Sequence, residues 1–337
     1  MTDFRNATAQ EGPEPRSAGW RSWHLHTATF GMTALDDVVT EALGPLAGRL
    51  GLLEPDGPPW FFLRYWQGGP HLRLRIAGLT QSEADRIETE LAGRLDTLDA
   101  VVPPGQRLDQ DSYARAVRPL ATAGEAGVSL PVGHLVAPGI RRAVYEPEYR
   151  RYGGPHLIGR SEHLFHCSSR TALRVCLARA GTRHGTASGL EATAAACSVL
   201  DEHRTPVDRV RFLEGQRDVW LGWARSGEAA EGGTVDGPRG EPADTARSRV
   251  AALGGLGPRL LAAMAQGDPR WAAWTDPLGE ALSVWTSELG PARAVGIFGS
   301  HVHMTANRLG VGAGREARIA ALLLALLEST PAAQAAD

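Results

Sequence analysis

Trp60-Phe-Phe-Leu-Arg-Tyr-Trp-Gln-Gly-Gly-Pro-His-Leu-Arg-Leu-Arg-Ile76 decides the fold. Two runs rich in aromatic and apolar residues flank Gly68-Gly69-Pro70, which predicts a β-hairpin. In the second run, apolar and cationic or titratable residues alternate without a break. Successive side chains on a strand point to opposite faces, so His71, Arg73 and Arg75 share one side and Leu72, Leu74 and Ile76 the other. Such a strand builds an anion-binding wall backed by core. Its neighbouring cations repel one another, which implies an acid or an anionic ligand facing them.

Upstream, Trp20 to Phe30 alternates enough for a strand. Thr33 and Asp36 then open a helix in the manner of a capping box. Its apolar residues Leu35, Val38, Val39, Ala42, Leu43, Leu46 and Leu50 follow helical spacing, and Pro45 is a point of kinking. Downstream, Ser82 is the expected cap of a helix with Ile87, Leu91, Leu95 and Leu98 on one face. A Pro-Pro-Gly break follows, then a weakly patterned stretch that ends in an expected strand at Arg142–Tyr145. The rest predicts helices over 160–180, 188–200, 206–224, 244–265, 278–289 and 314–328. A β-rich N-terminal half, its hairpin packed on helices, followed by a mostly helical C-terminal half, is an α+β arrangement. Residues 1–19 are expected to be a disordered N-terminal extension and 329–337 a disordered tail. A single domain spans 20–328, with the Gly-, Pro- and acid-rich segment 226–244 as an exposed loop.

Composition narrows the function. The 337 residues, 43% of them hydrophobic, supply a real core. No apolar run approaches the roughly 18 residues of a membrane span, and the polar amino terminus lacks a signal-peptide core, so a cytoplasmic protein is expected. Cys167, Cys176 and Cys197 are odd in number and lack CxxC spacing, which argues against disulfides and thiolate zinc and for reduced thiols, at least two of them buried. All 35 basic residues are arginine. There is therefore no lysine for a Schiff base with pyridoxal phosphate and no GxxxxGK[ST] phosphate loop. With a net charge of -3 and no arginine run interleaved with aromatics, nothing suggests a nucleic-acid groove.

Two further segments carry chemistry. In Tyr145-Glu-Pro-Glu-Tyr-Arg-Arg-Tyr-Gly-Gly154, Pro147 and the two glycines mark a loop suited to presenting side chains to a ligand. Glu148 and Arg151 are its notable pair; the plainer alternative is an ordinary surface ion pair. Ser161-Glu-His-Leu-Phe-His-Cys-Ser-Ser169 follows. In Gly299-Ser-His-Val-His-Met-Thr-Ala-Asn-Arg-Leu-Gly310, read as the start of a helix, His303 and Asn307 fall at i and i+4 while Val302, Ala306 and Leu309 turn to the core. Arg308 projects from another side, near Met304 and His301. Histidine changes charge near neutral pH, so His303 is the natural proton carrier; the alternative is a hydrogen-bonded structural imidazole. His24/His26 and His301/His303 are His-x-His pairs, yet no acidic or thiolate ligand sits at a useful spacing near either, and no metal or cofactor is assigned.

At these three places the chain resembles the carboxy-terminal domain of the lantibiotic dehydratases, also called the thiopeptide-type bacteriocin biosynthesis domain. The matching text is WFFLRYWQGGPHLRLR, then YEPEYRRYGG with SEHLF downstream, then HVHMTANRLG, within a similarity running from about Trp20 to Leu327. The resemblance implies a lyase that removes glutamate from a glutamylated serine or threonine of a ribosomal peptide, leaving dehydroalanine or dehydrobutyrine. By motif position, Arg73, Arg75, Glu148, Arg151 and His303 are the catalytic candidates. His71, Tyr145, Ser300, Asn307 and Arg308 are the substrate-binding candidates beside them. The chain departs from the pattern at Ser168-Ser169, where many elimination domains carry Asp-Ser, and in a hairpin turn that lacks an acid. Some relatives instead join two dehydroalanines in a formal [4+2] cyclisation that builds a pyridine and expels water and the leader peptide. A third possibility is a non-catalytic partner that holds the precursor peptide. The implied partners are a precursor peptide with its leader and a separate tRNA-dependent glutamylating subunit, with no direct nucleic-acid contact and no membrane.

Overall fold

The predicted hairpin forms: β2 (Trp60–Tyr65) and β3 (His71–Ile76) pair antiparallel, with Tyr65 opposite His71 and Trp60 opposite Ile76. This computed structural model describes residues 19–30, 32–123, 129–180, 185–202, 208–229 and 243–329. All but Gly19 of the expected N-terminal extension, residues 230–242 of the expected 226–244 loop and all but Ser329 of the expected tail lie outside those residues, while 226–229 and 243–244 are helical rather than loop. Gly68 and Gly69 take the hairpin turn at φ of 80° and 104°, which favours glycine, and the Gly69 N–H donates to the Trp66 carbonyl at 3.0 Å. On the other side of β3 lies β1 (Arg21–His26), and beyond it β4 (Gly139–Ala143), giving the order β2-β3-β1-β4. β4 lies three residues earlier than expected at its start. Tyr145 leaves the ladder to pack edge-on against Phe61 at 5.5 Å, so the chain turns off the sheet before it.

Leu72, Leu74 and Ile76, with Trp23 and Leu25 of β1, are fully buried in one cluster with Val38, Val39, Leu43, Leu46, Ile87 and Leu91. The first helical segment consists of α1 (Met32–Asp37), a π-helical turn over Val38–Leu43 and α2 (Gly44–Leu50). Pro45 explains the widened turn. It has no N–H for the next rung, and the Gly44 N–H reaches five residues back to the Val39 carbonyl. The following helix, α3 (Gln81–Ala100), is capped by Thr80 rather than Ser82. Thr80 Oγ1 accepts the Glu83 N–H while the Glu83 carboxylate accepts the Thr80 N–H at 2.8 Å, a complete capping box at the first turn of the helix.

α4 (Gln110–Ala123) lies in the stretch without a clear sequence pattern, and Asp109 and Ser112 cap it reciprocally. Then come α5 (Ile158–Ala178), α6 (Gly185–Glu202), α7 (Arg209–Ala229), α8 (Ala243–Ala252), α9 (Leu256–Gln266), α10 (Ala272–Leu289), α11 (Pro291–Arg308) and α12 (Ala313–Glu328). The helix expected over 244–265 is two helices, parted at Leu253-Gly254-Gly255. α11 begins eight residues before Gly299, which sits mid-helix. A Cβ there would fall 2.8 Å from the Gln216 amide of α7, so the glycine permits close helix packing rather than starting a helix. The α+β class holds, and no helix among the described residues is long and apolar enough to cross a membrane.

β2 is an edge strand, and side chains from two helices cover its outer edge. Its alternate residues turn their backbone groups outward. The Trp60 N–H nitrogen and carbonyl lie 3.2 Å from His166 Nδ1 of α5. Ser169 Oγ of α5 accepts the Phe62 N–H at 3.2 Å. Asn307 of α11 accepts the Arg64 N–H at 2.9 Å and donates to the Arg64 carbonyl at 3.0 Å. This seam fixes α5 and α11 beside the sheet.

Candidate active site

The strand register assembles more on the polar face than β3 alone supplies. His24 stands opposite Arg73, His26 opposite His71, and Ser22 opposite Arg75. The Arg73 guanidinium lies 3.6 Å above the Tyr65 ring, and its Nε donates to His71 Nε2 at 3.2 Å. Burial, aided by nearby Arg73, pushes the imidazole of His24 down to about 4; burial and Arg141 do the same to His26, and burial takes His71 to about 2. The imidazoles are thus neutral at pH 7, and cation–π contact steadies Arg73. Crowding on this face is relieved in part by deprotonation and stacking, not solely by a facing acid.

Arg75 is only 8% exposed. Its guanidinium lies 4.6 Å from the Tyr145 ring centroid and 5.1 Å from that of Phe61, and Nε has no hydrogen-bond acceptor. Burial lowers its pKa to about 10 against the pull of Tyr145, Glu148 and Glu162. Burial and the hydrogen-bonded Glu162 raise the Tyr145 phenol well above its ordinary value, so it stays protonated. Burial likewise raises the Glu162 carboxyl.

The Glu148–Arg151 loop closes as one tight turn, with the Arg151 and Tyr152 N–H groups donating to the Glu148 carbonyl. Gly153 follows at φ 90°, where a Cβ would meet Leu157 and Leu289 at 2.9 Å, so turn and packing both call for glycine. Arg151 Nη1 donates to Glu148 at 3.3 Å and its Nε to the Ser300 hydroxyl of α11 at 3.3 Å. The loop is thereby fastened to the helix that carries His303.

His303 stands one turn beyond Ser300 on the same side of α11. Its Nδ1 lies 2.9 Å from Glu316 Oε1 of α12, and its ring lies against that of Trp220 of α7, centroids 4.3 Å apart and planes tilted by 32°. The imidazole is 21% exposed and the carboxylate 7%. Burial raises the Glu316 carboxyl while His303 pulls it down. A carboxylate on Nδ1 fixes the tautomer and leaves Nε2 for proton transfer.

The structure thus gathers Arg75, Tyr145 and Glu148 around one buried guanidinium, links Arg151 to Ser300, and puts His303 on the next turn. His71 and Arg73 form a couple beside them on β3. Asn307 and Arg308, named from the motif as substrate-binding, both make hydrogen bonds within the protein, although the buried Arg308 Nη2 has no partner among the described residues. Asn307 is engaged with β2. Arg308 is 1% exposed, bonds Ser169 Oγ at 2.9 Å and the Met304 carbonyl at 2.8 Å, and is held by burial to a pKa of about 9. Sequence reasoning missed Glu316, Glu162 and the convergence of His24 and His26 on His71. Glu162 lies inside the SEHLF segment and His24/His26 form a His-x-His on a predicted strand, so of these only Glu316 left no signal.

The chain belongs to the family of lantibiotic biosynthesis dehydratase C-terminal domains, whose family model matches residues 20–327. Its fold is similar to that of the pyridine synthase TbtD from thiomuracin biosynthesis, with a TM-score of 0.64 and 16% identity over 92% of this chain and 98% of that one. TsrL is similar at a TM-score of 0.57 and 16% identity, over 94% of this chain and 97% of that one. The tRNA-dependent lantibiotic dehydratase MibB from Microbispora sp. 107891 is similar at a TM-score of 0.50 and 21% identity, over 96% of this chain and 28% of MibB. No protein of curated function matches the sequence.

Proposed function

We propose that this chain is a carbon–oxygen lyase of peptide maturation, removing glutamate from glutamylated serine or threonine in a precursor peptide. One observation carries the proposal: a buried Arg75 guanidinium with an unmet N–H donor, next to Arg73 and the loop that binds Ser300 of α11. A desolvated cation with a donor to spare gains most from a carboxylate ligand, as the glutamyl group offers. In the elimination, His303 Nε2 takes the α-proton, with Glu316 holding the ring. Arg151, oriented by Glu148 and Ser300, steadies the negative charge that develops on the neighbouring carbonyl. The Cα–H and Cβ–O bonds break, the Cα=Cβ bond forms, and glutamate leaves as its carboxylate toward Arg73 and Arg75. No redox step or cofactor enters this scheme.

The precursor would arrive with its leader after a separate tRNA-dependent subunit has glutamylated it, in the cytoplasm where charged tRNA is available. The second reading is the formal [4+2] cyclisation of two dehydroalanines. Its support is the fold shared along nearly the whole of a pyridine synthase, and Ser300, Tyr145 and His303 would then polarise the amide. The deciding experiment incubates the purified chain with a glutamylated peptide and, separately, with a bis-dehydroalanine peptide, followed by mass spectrometry. Loss of glutamate from the first is expected. Loss of leader and water from the second would replace elimination with cyclisation, and turnover of neither with retained peptide binding would leave the scaffold.

A further inference from the structure

We propose that His24, His26 and His71 form a binding site for a transition-metal dication of the zinc type, with Arg73 as its intrinsic competitor. The three imidazoles offer ligand nitrogens that all lie within 4.8 Å of one another. Two come from a His-x-His on β1 and one from the facing position on β3. The sheet register therefore builds the triad, with His26 directly opposite His71 and His24 diagonal to it.

The second layer fits the role. His71 Nδ1 donates to the Gly69 carbonyl at 2.8 Å, so its Nε2 bears the lone pair. A backbone carbonyl on the far nitrogen is how ligating histidines are commonly oriented. The positive φ of Gly69 presents that carbonyl, so the hairpin turn also sets the tautomer. His26 is only 4% exposed, and its Nδ1 is buried with no hydrogen-bond partner. An orphaned lone pair or N–H at that depth is costly, and ligation is one way to satisfy the ring.

The donor set selects the ion. Three imidazoles without a carboxylate suit Zn²⁺, Co²⁺, Ni²⁺ or Cu²⁺ rather than Mg²⁺ or Ca²⁺, and they leave a coordination position for water or an anion. With metal–nitrogen bonds of about 2.0–2.1 Å, tetrahedral ligand nitrogens stand roughly 3.3 Å apart. The rings must therefore close by about an ångström or more, a movement open to the half-buried His24. The opposing force is Arg73. Its Nε–H occupies the lone pair of His71 Nε2, and its charge disfavours a dication. Metal entry requires the guanidinium to give up that hydrogen bond and remain on Tyr65. The site shares Arg73 and His71 with the reaction proposed above, but it is argued from geometry alone and its test reads metal binding rather than turnover.

Metal-free full-length protein titrated with Zn²⁺ in a calorimeter, and with Co²⁺ followed by its ligand-field absorption, tests the site. One ion per chain is expected, with cobalt bands of low-coordinate, nitrogen-rich type. His24→Gln and His26→Gln should each weaken binding by at least about tenfold. His156→Ala, at an exposed histidine, should not change it. Arg73→Gln should tighten binding, an effect that a purely structural role for the histidines does not produce. Circular dichroism and melting curves confirm that each variant folds. Affinity unchanged in folded His24→Gln, or no binding to wild type and Arg73→Gln alike, would overturn the proposal.

Discussion

Asn307 holds Arg64 by both backbone groups, its side-chain carbonyl accepting the N–H and its amide donating to the C=O. An asparagine thus acts as a one-residue strand along the edge of β2, completing a seam that His166 and Ser169 begin. A motif residue that looks as if it should meet substrate is instead a joint between helix and sheet.

Asn307→Ala should therefore act first on stability. It removes two hydrogen bonds and strands a half-buried backbone pair, which together cost about 2–3 kcal/mol. Chemical denaturation should show the lower midpoint with an unchanged slope. Full stability in the alanine variant would mean that water replaces the side chain without loss.

Arg75→Ala should leave the fold intact and lower kcat/KM for a glutamylated peptide by on the order of 100-fold or more. Arg73→Ala should do likewise while sparing the Glu148 loop. A variant at Arg75 that eliminates glutamate at the wild-type rate would remove the buried cation from the reaction.

Glu316→Gln tests the partner that orients His303. The isosteric amide keeps the packing but removes the charged acceptor that holds the His303 ring, so turnover should fall by roughly 10- to 100-fold. Substrate affinity should change little. An effect on KM alone would make Glu316 a packing residue.

Acid should weaken the fold earlier than carboxylate titration alone predicts. Burial depresses His166 to about 4 and holds His301 well below the ordinary 6.5, where Trp285, Tyr152 and Phe165 surround it. Above pH 6.5 both folded and unfolded imidazoles are neutral and this stabilisation is fully present. As pH falls from 6.5 toward 4, the unfolded chain takes up protons that the folded rings refuse, and stability declines. Unfolding free energies measured between pH 8 and pH 4.5 should trace that fall, and a flat profile down to pH 5 would contradict it.

Local rules carried the hairpin, the α+β class and most helices, because alternation and helical spacing are properties of neighbouring residues. The same rules misplaced the α3 cap by two residues, since Thr80 and Ser82 are both capable caps and only the reciprocal bond to Glu83 chooses between them. They started α11 at Gly299 because a glycine reads as a break, whereas packing against Gln216 keeps it inside a helix. The site followed the same division. His71, Arg73 and Arg75 lie on one strand and could be placed on one face from sequence. Glu316 comes from a different helix, and its approach to His303 depends on how α11 and α12 pack, which no spacing rule contains. His24 and His26 were visible as a pair, but their third member required the strand register.

The interior position of the cysteines has a practical side. Cys167 and Cys197 are buried, and burial raises the thiol pKa of all three, that of Cys197 to about 12. Thiolate is the reactive form, so the native sulfurs will be slow toward maleimides at neutral pH. A cysteine introduced at exposed Val144 could then carry a fluorophore without first stripping the native ones, placing a reporter one residue from Tyr145 to follow peptide docking in real time.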